Sequence, residues 1–144
     1  MITVKDLLAQ KTQRAIYHVV VSDTVQKVLE MMREHTIRAV VVLDDAGHLI
    51  GIVSERDCAL KVLLKGLRAV DTVVNDIMTA DVFTVSATTR TRDCMALMSA
   101  KKIRHLPVLD GDRVLGMISI RDLMDDIIAD HESTIASLHS YIHS

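Results

Sequence analysis

Aromatic side chains are nearly absent from this chain, which has one Phe, two Tyr and no Trp among its 144 residues. Proteins that bind single-stranded nucleic acid stack the bases on aromatic rings, so this composition disfavours that class. A basic block is missing as well, and a net charge of −2 gives no general attraction to nucleic acid or to anionic lipid. We therefore expect no nucleic-acid partner.

Long apolar runs and paired cysteines are also missing. No stretch approaches the roughly 18 apolar residues of a membrane span, and residues 1–14 lack the charge-then-apolar order of a signal peptide. Cys58 and Cys94 form neither a disulfide framework nor a metal-type pair. His139 and His143 lie four residues apart on a predicted helix, but no third ligand completes a metal site. These absences predict a cytoplasmic protein with no membrane segment and no metal.

A repeated motif is the most informative feature that the chain does contain. Residues 51–57 read GIVSERD, and residues 116–122 read GMISIRD. An alignment that starts with Val19 on Val85 runs through both copies and needs one deletion, which falls in a turn. We therefore interpret the chain as a tandem repeat. The first repeat covers 1–70 with an N-terminal helix, and the second covers 71–144 with an extended C-terminal helix.

Each repeat has the same predicted order of elements, β-α-β-β-α. Runs of β-branched residues alternate with apolar residues at helical spacing, and an Asp/Gly turn joins two strands into a hairpin. The predicted fold class is α/β (α+β), with the two repeats packed as a pseudo-two-fold pair, since one repeat of about 50 residues is too small for a secure core. The one proline, Pro107, lies in a hairpin strand, which favours an edge position or a bulge.

The last predicted helix of each repeat carries an apolar stripe. The stripe of the first repeat is Leu60, Leu63, Leu64 and Leu67, and that of the second is Leu123, Ile127, His131, Ile135, Leu138 and Ile142. The far half of the second stripe has no counterpart in the first repeat. We expect it to pack on a second copy of the chain or back onto the N-terminal helix, and we favour the homodimer.

The end of each repeated motif forms a corner at which a strand turns into a helix. Ser54 and Asp57 lie three residues apart at the first corner, as Ser119 and Asp122 do at the second. A helix start offers N–H groups to an anion, and an aspartate can accept hydrogen bonds from both vicinal hydroxyls of a ribose. The alternative is that Ser-x-x-Asp only caps the helix and needs no ligand. Both interpretations stay open at this point.

These motifs resemble a pair of cystathionine-β-synthase-type (CBS) domains. The resemblance rests on the tandem element order, on GIVSERD and GMISIRD, and on the stretch KKIRHLPVLDGDRVLGMISIRDLM, and it covers roughly residues 3–129. It implies a regulatory protein that is not an enzyme and has no prosthetic group. Such proteins bind adenosine-containing ligands in clefts between the repeats: AMP first, then ADP, ATP, NAD(H) or S-adenosylmethionine. They often dimerise, and the regulated protein would here be a partner in trans.

The resemblance also implies a set of ligand-binding residues. Basic side chains at strand starts and inside the corners would face the phosphates, and segments 78–83 and 12–17 would contact the base. Ala39 stands in the first repeat where His105 stands in the second, so the two sites should differ. The implied set comprises Ser54, Arg56, Asp57, Ser119, Arg121 and Asp122 at the corners, Arg38, Arg104 and His105 at strand starts, and Ile16, Thr79, Ala80 and Val82 near the base.

Two functions from different classes are consistent with these features. The first is a sensor that binds an adenine nucleotide and passes its occupancy to a partner protein. The second is a module that only dimerises or binds other proteins, with corners that cap helices and hold no ligand. The serines of both corners lack the G-x-S-x-G context of a catalytic nucleophile, which gives no support to an enzyme.

Overall fold

The computed structural model describes residues 2–11 and 15–143, and these residues form two three-stranded sheets and five α-helices. The helices are α1 (Val4–Gln10), α2 (Val25–His35), α3 (Glu55–Cys58), α4 (Thr91–Lys101) and α5 (Ile120–His143). The strands are β1 (His18–Val19), β2 (Ala39–Leu43), β3 (Leu49–Ser54), β4 (Val85–Ser86), β5 (His105–Asp110) and β6 (Arg113–Ser119). Short 3-10 turns occupy Ala69–Asp71 and Val74–Asp76. The mixed α/β fold class and the twofold β-α-β-β-α order are confirmed.

The first sheet has the order β1-β2-β3, with β1 parallel and β3 antiparallel to β2. The turn of its hairpin depends on Asp44, whose Oδ1 accepts hydrogen bonds from the amides of Ala46 and His48 (3.0 and 2.8 Å). Gly47 completes the turn with a φ of 83°, a conformation that a residue with a Cβ adopts only under strain. The Asp/Gly turn predicted from the sequence is therefore present.

A core of branched apolar side chains lies between this sheet and α2. Val40 and Val42 of β2 and Val53 of β3 are buried, as expected for a central strand and its neighbour. Val28 and Met32, one helical turn apart on α2, belong to the same buried cluster. The two periodicities that predicted these elements, 2 for the strands and 3.6 for the helix, thus converge on one core.

The second sheet has the order β4-β5-β6, so that β5 is its central strand. The edge position expected for Pro107 is wrong, because this residue lies buried within β5. β4 has only two residues and leaves most of that side of β5 without a ladder partner, and a residue that lacks an N–H is tolerated there. Leu106 on β5, Ile118 on β6 and Leu123 on α5 are each at most 1% exposed.

The chain forms two compact units, and the residue boundaries of these units differ from those of the sequence repeats. One unit contains the first sheet and comprises 15–83 and 109–115. The other contains α1, 84–108 and the residues from Gly116 onward. The compact units do not divide at residue 70. The repeat boundary after residue 70 therefore stays a prediction from the sequence.

Two lead-in segments, each preceding the first strand of its repeat, account for part of this division. The first lead-in segment (residues 2–11) contains α1 and joins the unit of the second sheet, where the Val4 amide donates a hydrogen bond to the Thr89 carbonyl at 2.8 Å. The second lead-in segment (residues 72–82) joins the unit of the first sheet, where it pairs with β3. Each lead-in segment thus joins the unit that contains the sheet of the other sequence repeat.

The helix after the first corner is present, but its leucine stripe is not part of the core. α3 is a single turn, and the helix continues as a π-helical turn over Ala59–Leu63. Cys58 and Val62 are the buried residues of this helix. The stripe residues are exposed: Leu60 by 44%, Leu63 by 77%, Leu64 by 76% and Leu67 by 50%.

Helix α5 is buried only at its start. It packs against α1 and α4, whereas residues 128–140 are all exposed, among them Ile135 (65%) and Leu138 (58%). Of the two packings expected for the far half of this stripe, the one against the N-terminal helix is therefore not adopted by the described residues.

Both cysteines are buried thiols that we expect to react slowly. Burial raises the pKa of Cys58 to about 11, with the charge of Asp57 as a second cause, and burial likewise raises the pKa of Cys94 to about 11. At pH 8 only about one-thousandth of each thiol is then thiolate, the form that reacts. Labelling with a thiol-reactive disulfide at pH 8 should be at least about tenfold slower in the native than in the denatured protein, and should accelerate as the pH rises. Equal rates in the two states would contradict this.

Candidate functional site

The first corner lies where β3 ends at Ser54 and α3 begins at Glu55. The Ser54 hydroxyl accepts a hydrogen bond from the Asp57 amide (3.2 Å), and Asp57 Oδ2 accepts one from the Ser54 amide (2.9 Å). The Glu55 amide has no partner within its own helix, and it donates to the Arg38 carbonyl at 3.0 Å. This is the reciprocal capping box that the sequence offered as one interpretation, and its presence is confirmed.

The second corner repeats these hydrogen bonds. Asp122 Oδ2 accepts from the Ser119 amide at 2.8 Å, and the Ser119 hydroxyl accepts from the Asp122 amide at 3.2 Å. The Ile120 amide donates to the Arg104 carbonyl at 2.8 Å. Arg104, like Arg38 in the first repeat, is therefore positioned beside its corner by a main-chain hydrogen bond. The alignment of the two repeats extends to individual hydrogen bonds.

The second lead-in segment brings Thr79 to the first corner. Thr79 and Ile52 form an antiparallel bridge in which each amide donates to the carbonyl of the other (2.9 and 3.0 Å). From there the Thr79 hydroxyl donates to Asp57 Oδ1 at 3.4 Å. Gly51 makes this approach feasible, because a Cβ at its position would lie 2.6 Å from Met78 Sδ. The structure thus assembles Asp57 and Thr79, which the family resemblance had implied without saying that they meet.

The first lead-in segment approaches the second corner in the same manner. A Cβ on Gly116 would lie 3.1 Å from a methyl group of Leu8. Beyond Leu8, the Lys11 ammonium donates to Asp122 Oδ2 at 3.1 Å and to the Met117 carbonyl at 2.8 Å. Each corner therefore consists of a Ser-x-x-Asp turn with a lead-in segment laid across it.

The role of the first lead-in segment was missed in the sequence, although a signal was present. Residues 4–8 read VKDLL, and residues 74–78 read VNDIM. These two stretches lie 70 residues apart, whereas the repeat was aligned at 66, so that alignment did not pair them. In this second register Lys11 corresponds to Asp81. Lys11 therefore has no counterpart that could have marked it as a site residue.

Lys61 is a further residue of the first corner that the sequence did not predict. Its ammonium lies 3.0 Å from Asp57 Oδ1 and also donates to the Ile77 carbonyl at 3.0 Å. The contact to Asp57 spans one helical turn, because the two residues are four apart. Both corner carboxylates thus contact a lysine, which in each case also holds a main-chain carbonyl.

The two corner glycines should differ in their tolerance of a side chain. A Cβ at Gly51 would lie 3.2 Å from the Thr79 carbonyl oxygen in addition to Met78, and main chain yields less readily than a methyl group of Leu8. We expect Gly51→Ala to lower the free energy of unfolding by about 1–3 kcal/mol and Gly116→Ala to lower it less. Denaturant midpoints of the two variants decide this, and an equal or reversed ranking would show that the lead-in segments are not so closely packed.

The comparison with protein families gives two matches, both to the CBS domain, over residues 4–63 and 74–129. The chain belongs to the CBS-domain family. The two matches cover most of the chain, and the predicted resemblance is confirmed.

Several CBS-domain proteins are similar to this CBS pair. CBSX3, a mitochondrial protein of Arabidopsis thaliana, is 34% identical over 124 residues, which are 83% of this chain and 60% of that protein. A solved structure of a protein with CBS domains from Burkholderia ambifaria is 44% identical, with a TM-score of 0.85 over 89% of this chain and 95% of that one. The structure of CBSX2 in complex with AMP is 24% identical, covers 90% of this chain and 98% of that one with a TM-score of 0.74, and shows the fold alone.

The remaining predicted site residues of the CBS pair are exposed or partly exposed. Arg38 forms an ion pair with Glu55 (3.5 Å), and Val82 donates its amide hydrogen to the Ala80 carbonyl at 3.1 Å. Residues 12–14 of the segment expected to contact the base lie outside the described residues. Those that are exposed are Ile16, Arg38, Arg56, Ala80, Arg104 and Arg121, and those that are partly exposed are Val82 and His105.

Metal ligands do not gather in the part of the chain that the structure describes. No group of three His, Cys, Asp or Glu side chains could hold an ion there. The side chain of His143, which the sequence placed one turn from His139, lies outside the described residues. Within the described helices, none is both long enough and apolar enough to cross a membrane.

Proposed function

We propose that this CBS pair is a non-catalytic regulatory module that binds an adenosine-containing nucleotide at its corners and passes the occupancy to a protein partner in trans. The observation that carries the proposal is the assembly of a partly exposed aspartate, a helix start and a lead-in segment at each corner. The Asp57 side chain is 13% exposed and the Asp122 side chain 20%. Both carboxylates are therefore fixed in orientation and partly exposed to solvent.

The chemistry of such a corner suits a ribose. An ionised carboxylate only accepts hydrogen bonds, and two neighbouring hydroxyls can both donate to it. Bonds to a charged acceptor are worth about 1.5–3 kcal/mol, so one carboxylate can supply a large part of the affinity for a small ligand. Main-chain groups of Thr79 and its neighbours lie close by and would contact the base. The AMP complex of CBSX2, which shares the fold, supports an adenine nucleotide as the ligand class.

AMP is the ligand that we propose first, with ADP, ATP and NAD(H) as further candidates. Arg56 and Arg121 are exposed beside the corners, and Arg104 and His105 lie at the start of β5. These side chains provide cations for a phosphate, because guanidinium groups match phosphate oxygens in a bidentate geometry. We propose no prosthetic group and a cytoplasmic location, although the relative CBSX3 is by its name mitochondrial.

The two sites should have unequal affinities. Arg104 is followed by His105 in the second repeat, whereas Arg38 is followed by Ala39 in the first. The site that contains the second corner should therefore bind AMP more tightly. Isothermal titration calorimetry of the wild type should require two dissociation constants, and a fit to two indistinguishable sites would contradict the expected asymmetry.

A panel of ligands tests the proposed function against the alternative. AMP, ADP, ATP, NADH and S-adenosylmethionine are added singly, and thermal unfolding is monitored. A ligand present at 100 times its dissociation constant should stabilise the fold by about 2.7 kcal/mol. Stabilisation by at least one adenosine compound, and none by ribose-free adenine, is the expected outcome. If no compound stabilises the protein, the corners are helix caps only.

The alternative, a ligand-free interaction module, is favoured by a specific observation. Both capping boxes are satisfied by the chain itself, and several large apolar side chains of the last helices are exposed. We propose that this exposed surface serves the nucleotide sensor as well, through a homodimer that contains the far half of α5. The dimer and the nucleotide sites are compatible, and their tests are independent.

A further inference from the structure

The carboxylate of Asp57 is fully occupied by the chain itself. Its Oδ2 accepts hydrogen bonds from the amide and the hydroxyl of Ser54 (2.9 and 3.2 Å). Its Oδ1 contacts the Lys61 ammonium at 3.0 Å and accepts from the Thr79 hydroxyl at 3.4 Å. A carboxylate has about four lone-pair positions, so none is left for the hydroxyls of a ribose.

Within the described part of the chain, Asp122 has an open position in the corresponding place. Its Oδ2 accepts from the Ser119 amide (2.8 Å) and from the Lys11 ammonium (3.1 Å). Among the described residues, none donates to Oδ1 of Asp122. The two corners therefore share their capping geometry and differ in whether an oxygen is accessible without a rearrangement.

We propose that Lys61 is an internal competitor for the ligand at the first corner. Its ammonium occupies the oxygen that a ribose hydroxyl needs, and a ligand binds there only when it displaces the lysine from Asp57. This inference rests on the function proposed above and names a residue that regulates one of its two sites. It adds a second cause, separate from Ala39, for weak binding at the first corner.

Lys61 is the group that can leave. The hydrogen bonds from Ser54 belong to the helix cap and span only three residues of main chain, whereas the Lys61 side chain is flexible and 39% exposed. The ammonium has three donors and already contacts the Ile77 carbonyl at 3.0 Å. It can therefore leave Asp57 and keep a hydrogen bond, so its displacement does not leave a charge without a partner.

The competitor is specific to the first repeat. The position that corresponds to Lys61 in the second repeat is Asp126, 65 residues later. Asp126 has the opposite charge and cannot form an ion pair with the carboxylate of Asp122. Lys11, which contacts Asp122, comes from a lead-in segment and donates to Oδ2, the oxygen that already accepts from the Ser119 amide. Ligand entry at the second corner thus needs no displacement of the kind that Lys61 imposes.

Adenosine binding by Lys61→Met tests this proposal. Adenosine has the ribose hydroxyls and no phosphate, so the lost positive charge does not weaken any attraction to an anion. A partly exposed ion pair of this kind is worth about 1 kcal/mol or less, so calorimetry should show the weaker site strengthened about two- to fivefold and the stronger site unchanged. Lys65→Met is the matched control, because Lys65 is exposed one turn further along the chain, and it should bind as the wild type does.

The outcomes separate this proposal from the function on which it rests. Unchanged or weaker adenosine binding by Lys61→Met, in a protein whose wild type binds adenosine, overturns the competitor and leaves the nucleotide site intact. Absence of adenosine and AMP binding by the wild type overturns the proposed function, and the competitor with it. Lys61→Arg keeps the positive charge and should retain the weak site; a gain in affinity equal to that of Lys61→Met would also overturn the proposal.

Discussion

Asp122→Asn should weaken AMP binding roughly ten- to a hundredfold, because a carboxylate that accepts two ribose hydroxyls contributes about 1.5–3 kcal/mol through its charge. The substitution keeps the size and shape of the side chain and one acceptor oxygen. It removes the charge-assisted hydrogen bonds that only the ligand would add. Isothermal titration calorimetry with AMP measures the change directly.

The same variant should remain nearly as stable as the wild type. The amide oxygen of the new side chain can still accept the Ser119 hydrogen bond, which is 2.8 Å long in the wild type. The lost ion pair to Lys11 is partly exposed, with 26% and 20% of the two side chains accessible, and such pairs are worth about 1 kcal/mol or less. We therefore expect the denaturant midpoint to fall only slightly. A large loss of stability with unchanged AMP affinity would show that Asp122 is a helix cap and nothing more.

Two control substitutions accompany this experiment. Asp125→Asn makes the same chemical change at an exposed position of the same helix, three residues further on. Glu55→Gln changes a corner residue that the repeat does not preserve, since its counterpart is Ile120. Both variants should bind AMP as tightly as the wild type. A loss of affinity in either one would indicate a general effect of charge on nucleotide binding.

A double substitution in the far half of α5, Ile135→Glu with Leu138→Glu, should convert a dimeric protein into a monomer. Ile135, Leu138 and Ile142 lie on one face of the helix, and each is more than half exposed. An isolated helical extension of about 14 residues is marginally stable in water, so it needs an apolar partner surface. Two charges on that face would be buried in a dimer, which costs much solvation free energy, whereas they would stay in water in a monomer.

The oligomeric state is measured by analytical ultracentrifugation at micromolar concentration. The matched control places the same two charges on the opposite face of the helix, Ser133→Glu with Ser137→Glu, and should leave the dimer intact. Circular dichroism should show less helix in the monomeric variant, because the extension loses its support. A wild type that is strictly monomeric under these conditions would exclude the dimer.

The fold could be predicted because the same sequence pattern occurs in both repeats. Each strand and helix is set by local periodicity, and each corner by a short Ser-x-x-Asp motif that makes its own hydrogen bonds. The Asp44 turn and the capping boxes are local structures of three to five residues, so their side chains alone determine them. These are the features for which prediction from sequence and structure agree.

Features that depend on long-range packing were not predictable in the same way. Each lead-in segment packs in the unit of a sheet that is distant from it in sequence. Nothing in the local sequence VKDLL indicates which corner the first lead-in segment approaches. Lys61 could have been noticed as a partner of Asp57 from its spacing of four, but only the structure shows that it also holds the Ile77 carbonyl. The sequence favours an edge position or a bulge for Pro107, because the propensity of proline does not indicate how short the neighbouring strand β4 is.

We propose that the corner carboxylates bind the ribose of an adenine nucleotide, and one pair of titrations tests this binding most directly. AMP and 2′,3′-dideoxy-AMP, which differ only in the two hydroxyls, are titrated into the wild-type protein by isothermal titration calorimetry. We predict that AMP binds and that the dideoxy compound binds at least about tenfold more weakly, as expected when hydrogen bonds to a charged acceptor are lost. Equal affinities for the two compounds, or no binding of AMP, would contradict the claim.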